Sequence, residues 1–136
     1  MIKAKKSLGQ NFLIDKDILE KITSLIDIKN KDVLEIGPGT GNLTSYILSK
    51  HPKKFYVIEK DNILASNLKE KFKDKITVIN DDILKVNETS LSENKLIVFG
   101  NLPYNISTEI LCKWILNLKN NNFWFTNLIL MFQKEV

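Results

Sequence analysis

The stretch Asp32-Val33-Leu34-Glu35-Ile36-Gly37-Pro38-Gly39-Thr40-Gly41 decides the fold. Its first half is an apolar strand candidate. The strand runs straight into a glycine-rich turn and then into a helical stretch with Leu43, Tyr46 and Ile47 on one face. A glycine turn between a strand and a helix lets the backbone come close to a ligand. Working outward in both directions, helix and strand alternate: helix 15–26, strand 32–36, helix 42–50, strand 55–59, helix 61–72, strand 76–80, strand 96–100, helix 107–118 and strand 127–132. That alternation predicts an α/β fold, a mostly parallel sheet with helices on both faces. The polar stretch 85–95 (KVNETSLSENK) has room for a short helix, and Asn120-Asn121-Asn122 is a turn. There are no internal repeats or low-complexity linkers.

In open α/β sheets ligands bind at the carboxyl ends of the strands, so the residues that end each strand carry the functional reading. The strand Phe55-Tyr56-Val57-Ile58 ends in Glu59, an acid that can accept both hydroxyls of a ribose. The strand 76–79 ends in Asn80-Asp81-Asp82, another carboxylate on the same rim. The dinucleotide fingerprint is not met, because Asn42 stands where its third glycine belongs and Gly41 comes one place early. No phosphate-binding G-x-x-x-x-G-K-[ST] loop is present either. A nucleoside without phosphate fits better, and S-adenosylmethionine is such a ligand, with its ribose at Glu59, its adenine near Asp82 and its amino-acid tail against the glycine turn.

The strand 96–100 is followed by Asn101-Leu102-Pro103-Tyr104-Asn105-Ile106-Ser107-Thr108. An Asn side-chain carbonyl, a proline-fixed backbone and an aromatic ring in succession suit a planar base with an exocyclic amine. Asn101 can accept from the amine, and Pro103 pushes Leu102 toward an extended conformation that aims its carbonyl at the same group. Tyr104 supplies a stacking face. Taken alone, the same residues read equally as a strand-to-helix turn, with Ser107 or Thr108 capping the next helix.

Composition sets looser bounds. The chain has 136 residues, 43% hydrophobic and 26% charged, enough for one domain with a core of its own. Its net charge of +4 permits an RNA partner; all 20 basic residues are lysine, which AT-rich coding explains as well. Lys3-Ala4-Lys5-Lys6 is either a basic arm that neutralises phosphates or a solvated terminus. Cys112 is the only cysteine, so a disulfide within the chain and a cysteine metal cluster are both excluded. It is expected to pack beside Ile110, Leu111, Trp114 and Ile115, and the single histidine, His51, to be a cap or surface residue. No stretch approaches the roughly 20 apolar residues of a membrane span, and the lysine-rich start lacks the apolar core of a signal peptide. The expected location is cytoplasmic.

In order along nearly the whole chain, Lys6-Ser7-Leu8-Gly9-Gln10-Asn11-Phe12-Leu13, Glu35 to Gly41, Val57-Ile58-Glu59, Asp82, Phe99 to Thr108 and Gln133-Lys134-Glu135-Val136 resemble the amino-terminal part of the rRNA adenine N(6)-dimethyltransferases. That family methylates adenosines near the 3′ end of small-subunit rRNA. The resemblance implies a Rossmann-like class I methyltransferase fold that uses S-adenosylmethionine. Cofactor contacts would fall on Asn11, Leu13, Gly37, Glu59, Asp82 and Asn101, and the catalytic segment would be Asn101, Leu102, Pro103 and Tyr104. Family spacing chooses Asp82 over Asp81. It further implies two methyl groups per target and, as partner, rRNA in a partly assembled small ribosomal subunit, with no need of a metal or a membrane. Leu102, the glycine turn and Leu8-Gly9-Gln10-Asn11 favour the small-subunit branch over DNA amino-methyltransferases and the large-subunit branch.

Two other classes stay open on the residues: a non-catalytic RNA-binding relative of the same fold, against which Asn101, Tyr104, Glu59 and Gly37 speak, and a nicotinamide-dependent oxidoreductase, disfavoured by the glycine spacing. Residues 1–136 are read as one cofactor-binding catalytic domain, truncated after the fifth strand. Its last strand, Leu128-Ile129-Leu130-Met131-Phe132, is continuously apolar, and left as an edge it is an aggregation hazard.

Overall fold

A computed structural model describes residues 15–102, 104–117 and 123–132, without the side chains of Tyr104, Asn105, Asn117 and Phe132. In chain order the elements are α1 (Lys16–Thr23), β1 (Asp32–Ile36), α2 (Asn42–Leu48), β2 (Lys54–Ile58), α3 (Asn62–Phe72), β3 (Thr77–Ile79), β4 (Leu96–Leu102), α4 (Tyr104–Asn117) and β5 (Phe125–Phe132). Two short 3-10 turns, Lys73–Lys75 and Glu88–Ser90, lie between them. The five strands form one sheet in the order β3-β2-β1-β4-β5, and every neighbouring pair is parallel.

All of β1 and all of β4 are buried, as central strands covered on both faces must be. Successive side chains alternate between two cores. Val33 joins Leu19, Leu43, Phe55 and Phe99 on one face, and Leu34 and Ile36 join Ile58, Val98, Ile110 and Trp114 on the other.

The helix starts follow from their caps. Asp15 and Asp61 stand just outside α1 and α3, where each carboxylate accepts two backbone N–H groups, at 3.0 and 3.3 Å for Asp15 and 2.9 and 2.9 Å for Asp61. Both are therefore caps rather than first helical residues. α1 also stops short of the expected 26, at Thr23, whose hydroxyl turns back to the Leu19 carbonyl at 2.9 Å. The polar stretch 85–95 holds only the 3-10 turn.

The largest departures surround Leu102. β4 runs two residues past the expected end because β5 pairs with it in register through Asn101↔Met131 and Leu102↔Phe132. α4 then begins at Tyr104, so Ser107 and Thr108 lie inside the helix and not at its cap position. Cys112 does not pack with its neighbours as expected: it is exposed, and Ile115 is 63% exposed. The buried face of α4 is the i, i+4 pair Ile110 and Trp114, and Cys112 and Ile115 fall on the other side of the helix. His51 is exposed, as expected, in a left-handed turn (φ +60°) that closes α2. No helix among the described residues is long and apolar enough to cross a membrane.

Candidate functional site

β1 delivers the glycine turn to the middle of the sheet's carboxyl rim. Gly37 has a φ of +66°, and a side chain there would meet the Asn101 backbone oxygen at 3.4 Å. Its N–H donates to the Ile58 carbonyl at 3.0 Å, so the first residue of the turn is clamped between the ends of β2 and β4. Gly41 (φ +92°) is needed for a different reason, since a Cβ would strike the Phe72 ring at 2.8 Å and so wedge α2 away from α3.

Glu59 directly follows β2 and is only 7% exposed. One carboxylate oxygen accepts from the Gly39 N–H at 3.1 Å and the other from the Asp61 N–H at 3.0 Å. A carboxylate offers about four lone-pair sites, so acceptor capacity remains on each oxygen for a pair of hydroxyls. Asn80 holds this corner from below, its side-chain amide donating to the carbonyls of Glu59 at 2.9 Å and Lys60 at 3.2 Å. Asp82 accepts from the Leu84 N–H at 3.0 Å and faces the Lys60 ammonium at 3.7 Å.

Between these groups lies a cavity of about 280 Å³. Gly37, Glu59, Asp82, Asn101 and Leu102 all line it, with Ile36, Ile58, Ile83 and Ile106 as apolar walls. The structure thus brings together five of the residues singled out in the sequence. Asp81 lines the cavity too, so position alone does not separate it from Asp82. Asn11, Leu13 and Pro103 lie outside the described residues; Tyr104 opens α4, and its side chain is likewise outside the description. Sequence reading missed Lys60, Ile83, Ile106 and Glu109 on the wall and the bracing by Asn80. Only Asn80 had a signal, its place at a strand's end.

Two acids one strand apart behave differently. Glu35, inside β1, is 1% exposed and accepts from the Thr44 hydroxyl at 2.5 Å. Burial pushes its carboxyl up to about 8, the Thr44 bond pulls the other way, and the nearby Glu59 charge adds to the rise. At neutral pH Glu35 is therefore mostly uncharged, a buried strut between β1 and α2. Glu59 sits at the rim with backbone donors on both oxygens.

Sheets of this order reverse their winding between β1 and β4, the crevice where the cavity lies. Two solved structures built the same way are methyltransferases. A dimethyladenosine transferase from Plasmodium falciparum superposes with a TM-score of 0.72 at 32% identity, covering 88% of this chain and 42% of its own. The 23S rRNA methyltransferase ErmE does so with a TM-score of 0.65 at 28% identity, covering 77% and 42%. The domain is thus a Rossmann-like class I methyltransferase fold, as expected.

Within that class the chain belongs to the ribosomal RNA adenine dimethylase family, which it matches over residues 1–136. Ribosomal RNA small subunit methyltransferase A of Pelagibacter ubique (strain HTCC1062) is 71% identical over 135 residues, 99% of this chain and 51% of that protein. The chain spans about half the length of the curated relatives it matches.

Proposed function

We propose that this chain carries the cofactor- and target-binding part of an S-adenosylmethionine-dependent enzyme that dimethylates adenosines of small-subunit rRNA. The observation that carries the reading is the convergence of Gly37, Glu59, Asp82, Asn101 and Leu102 on one cavity at the strands' carboxyl ends. The cavity suits such a nucleoside: Glu59 has spare acceptors for the ribose, Ile83 and Leu84 offer apolar surface beside Asp82 for adenine, and the side-chain-free Gly37 admits the amino-acid tail. In the family pattern Asn11 and Leu13 complete this set.

When bound, S-adenosylmethionine supplies an electrophilic methyl group on a sulfonium whose charge disappears on transfer. The chain's residues then have to make an adenine amine nucleophilic and hold it in place. That amine is a weak nucleophile because its lone pair is delocalised into the ring. Accepting its hydrogens at the Asn101 side chain and the Leu102 carbonyl favours a pyramidal nitrogen and frees the lone pair. Leu102 ends β4 in extended backbone, as the carbonyl's role needs, and Pro103 and Tyr104 complete the clamp, with the Tyr104 ring stacking on the flipped-out base. The proton leaves to water after transfer, so the site needs no histidine base.

The partner is rRNA in a partly assembled small subunit, and the location is cytoplasmic. Incubating the intact protein with labelled S-adenosylmethionine and undermethylated small subunits tests the reading. Label should appear as dimethyladenosine in the rRNA. Absence of transfer with cofactor bound would favour a non-catalytic RNA-binding relative, and absence of cofactor binding would defeat the proposal.

A further inference from the structure

Lys113 of α4 lies on the helix that starts at the target clamp, yet its ammonium is spent on the opposite wall of the cavity. It donates to the carbonyls of Ile83 at 2.6 Å and Val86 at 2.5 Å, and it pairs with the carboxylate of Glu88. An ammonium has three donors, and all three are used. Glu88 is 2% exposed, and its second oxygen accepts from the indole N–H of Trp114 at 3.2 Å. Two consecutive residues of α4 therefore grip one short segment from both sides of a buried acid.

That segment starts at the cavity. Asp82, Ile83 and Leu84 line it from the β3 side, and Leu102, Ile106 and Glu109 line it from the β4–α4 side. Within the segment the turn is held by Lys85 N–H to Asp82 O at 2.8 Å, by Val86 N–H to Ile83 O at 3.4 Å, at the limit of a hydrogen bond, and by the Leu84 N–H on the Asp82 carboxylate at 3.0 Å. We infer that Lys113 and Glu88 are positioning residues, a buried tether that sets the width of the cofactor cavity by fixing its adenine-side wall to the helix of the target clamp. The inference rests on the proposed cofactor reading.

A buried ion pair is weak grounds for a claim about stability alone, because a neutral pair of similar size often replaces it without loss. That property supplies the test. Lys113→Met leaves Glu88 buried without its cation and should lower the melting temperature. The double variant Lys113→Met/Glu88→Gln removes the stranded charge, keeps an acceptor for Trp114, and should recover most of the melting temperature, but nothing in it holds the carbonyls of Ile83 and Val86.

The probe is S-adenosylhomocysteine, titrated calorimetrically into the intact protein, with amide hydrogen exchange over residues 82–86 as a second readout. The folded double variant should bind roughly 3- to 30-fold more weakly than the unsubstituted protein and lose protection in that segment. Unchanged affinity and unchanged protection in a folded double variant would overturn the tether and leave the cofactor reading standing. Failure of the unsubstituted protein to bind would overturn both.

Discussion

The two ends of the sheet are built from the same five strands and differ in almost everything a ligand would meet. At the amino end, β1 begins with Asp32, 3% exposed, beside a cavity of about 540 Å³ rimmed by Lys31, Lys53 and Lys95. One oxygen of Asp32 accepts from the Ser92 hydroxyl at 2.6 Å and the Asn94 amide at 3.3 Å, and the other has no hydrogen-bond partner among the described residues. At the carboxyl end the cavity is smaller, about 280 Å³, yet the polar side chains of Glu59, Asp82 and Asn101 and the side-chain-free backbone of Gly37, from the ends of four strands, converge on it. Volume and function part company here. What distinguishes the carboxyl end is the set of acceptors held in place by backbone donors, Glu59 above all.

That contrast can be attacked at several points. The largest effect is expected at Tyr104→Ala: the rate of transfer to rRNA should fall on the order of 100-fold or more, since the target base loses its platform, while S-adenosylhomocysteine affinity stays nearly intact. Near-normal methylation would remove Tyr104 from the clamp.

Next comes Glu35→Gln, which tests the buried strut behind the rim. The folded-state pKa of Glu35 lies near 8, above its ordinary 4.5, so the stability its protonated form contributes is full below about 4.5 and is lost as pH rises toward 8. Glutamine does not titrate and can still accept from Thr44. The variant's urea midpoint should therefore gain on the unsubstituted protein steadily between those pH values. Parallel curves would mean that Glu35 is charged in the folded protein. The smallest effect is expected at the other end of the sheet, where Asp32→Asn should change cofactor affinity by less than roughly twofold, because distant sites without shared partners act independently. A larger change would show that the two ends are coupled.

Much of this was legible in the chain and some of it was not. The glycine turn and the acids after β2 and β3 are local signals, because the backbone conformation and the rim position are both set by neighbours in sequence. The length of β4 is not local: pairing with β5 carries it through Asn101 and Leu102 and lets α4 begin at Tyr104. The outward turn of Cys112 follows from the face of α4 that Trp114 buries, which a run of apolar residues on all sides of the helix conceals. Least visible was Glu88, an acid in a polar stretch, buried where Lys113, 25 positions later, and Trp114 beside it both reach its carboxylate.

The central claim, that the carboxyl rim holds a ribose through Glu59, is tested most directly by calorimetry of S-adenosylmethionine binding to the intact protein and to Glu59→Ala. Removing hydrogen bonds to a charged acceptor should weaken binding by about 1.5 to 3 kcal/mol in a protein that still folds, with some loss of melting temperature from the freed N–H groups of Gly39 and Asp61. Unchanged affinity in a folded Glu59→Ala protein would contradict the account.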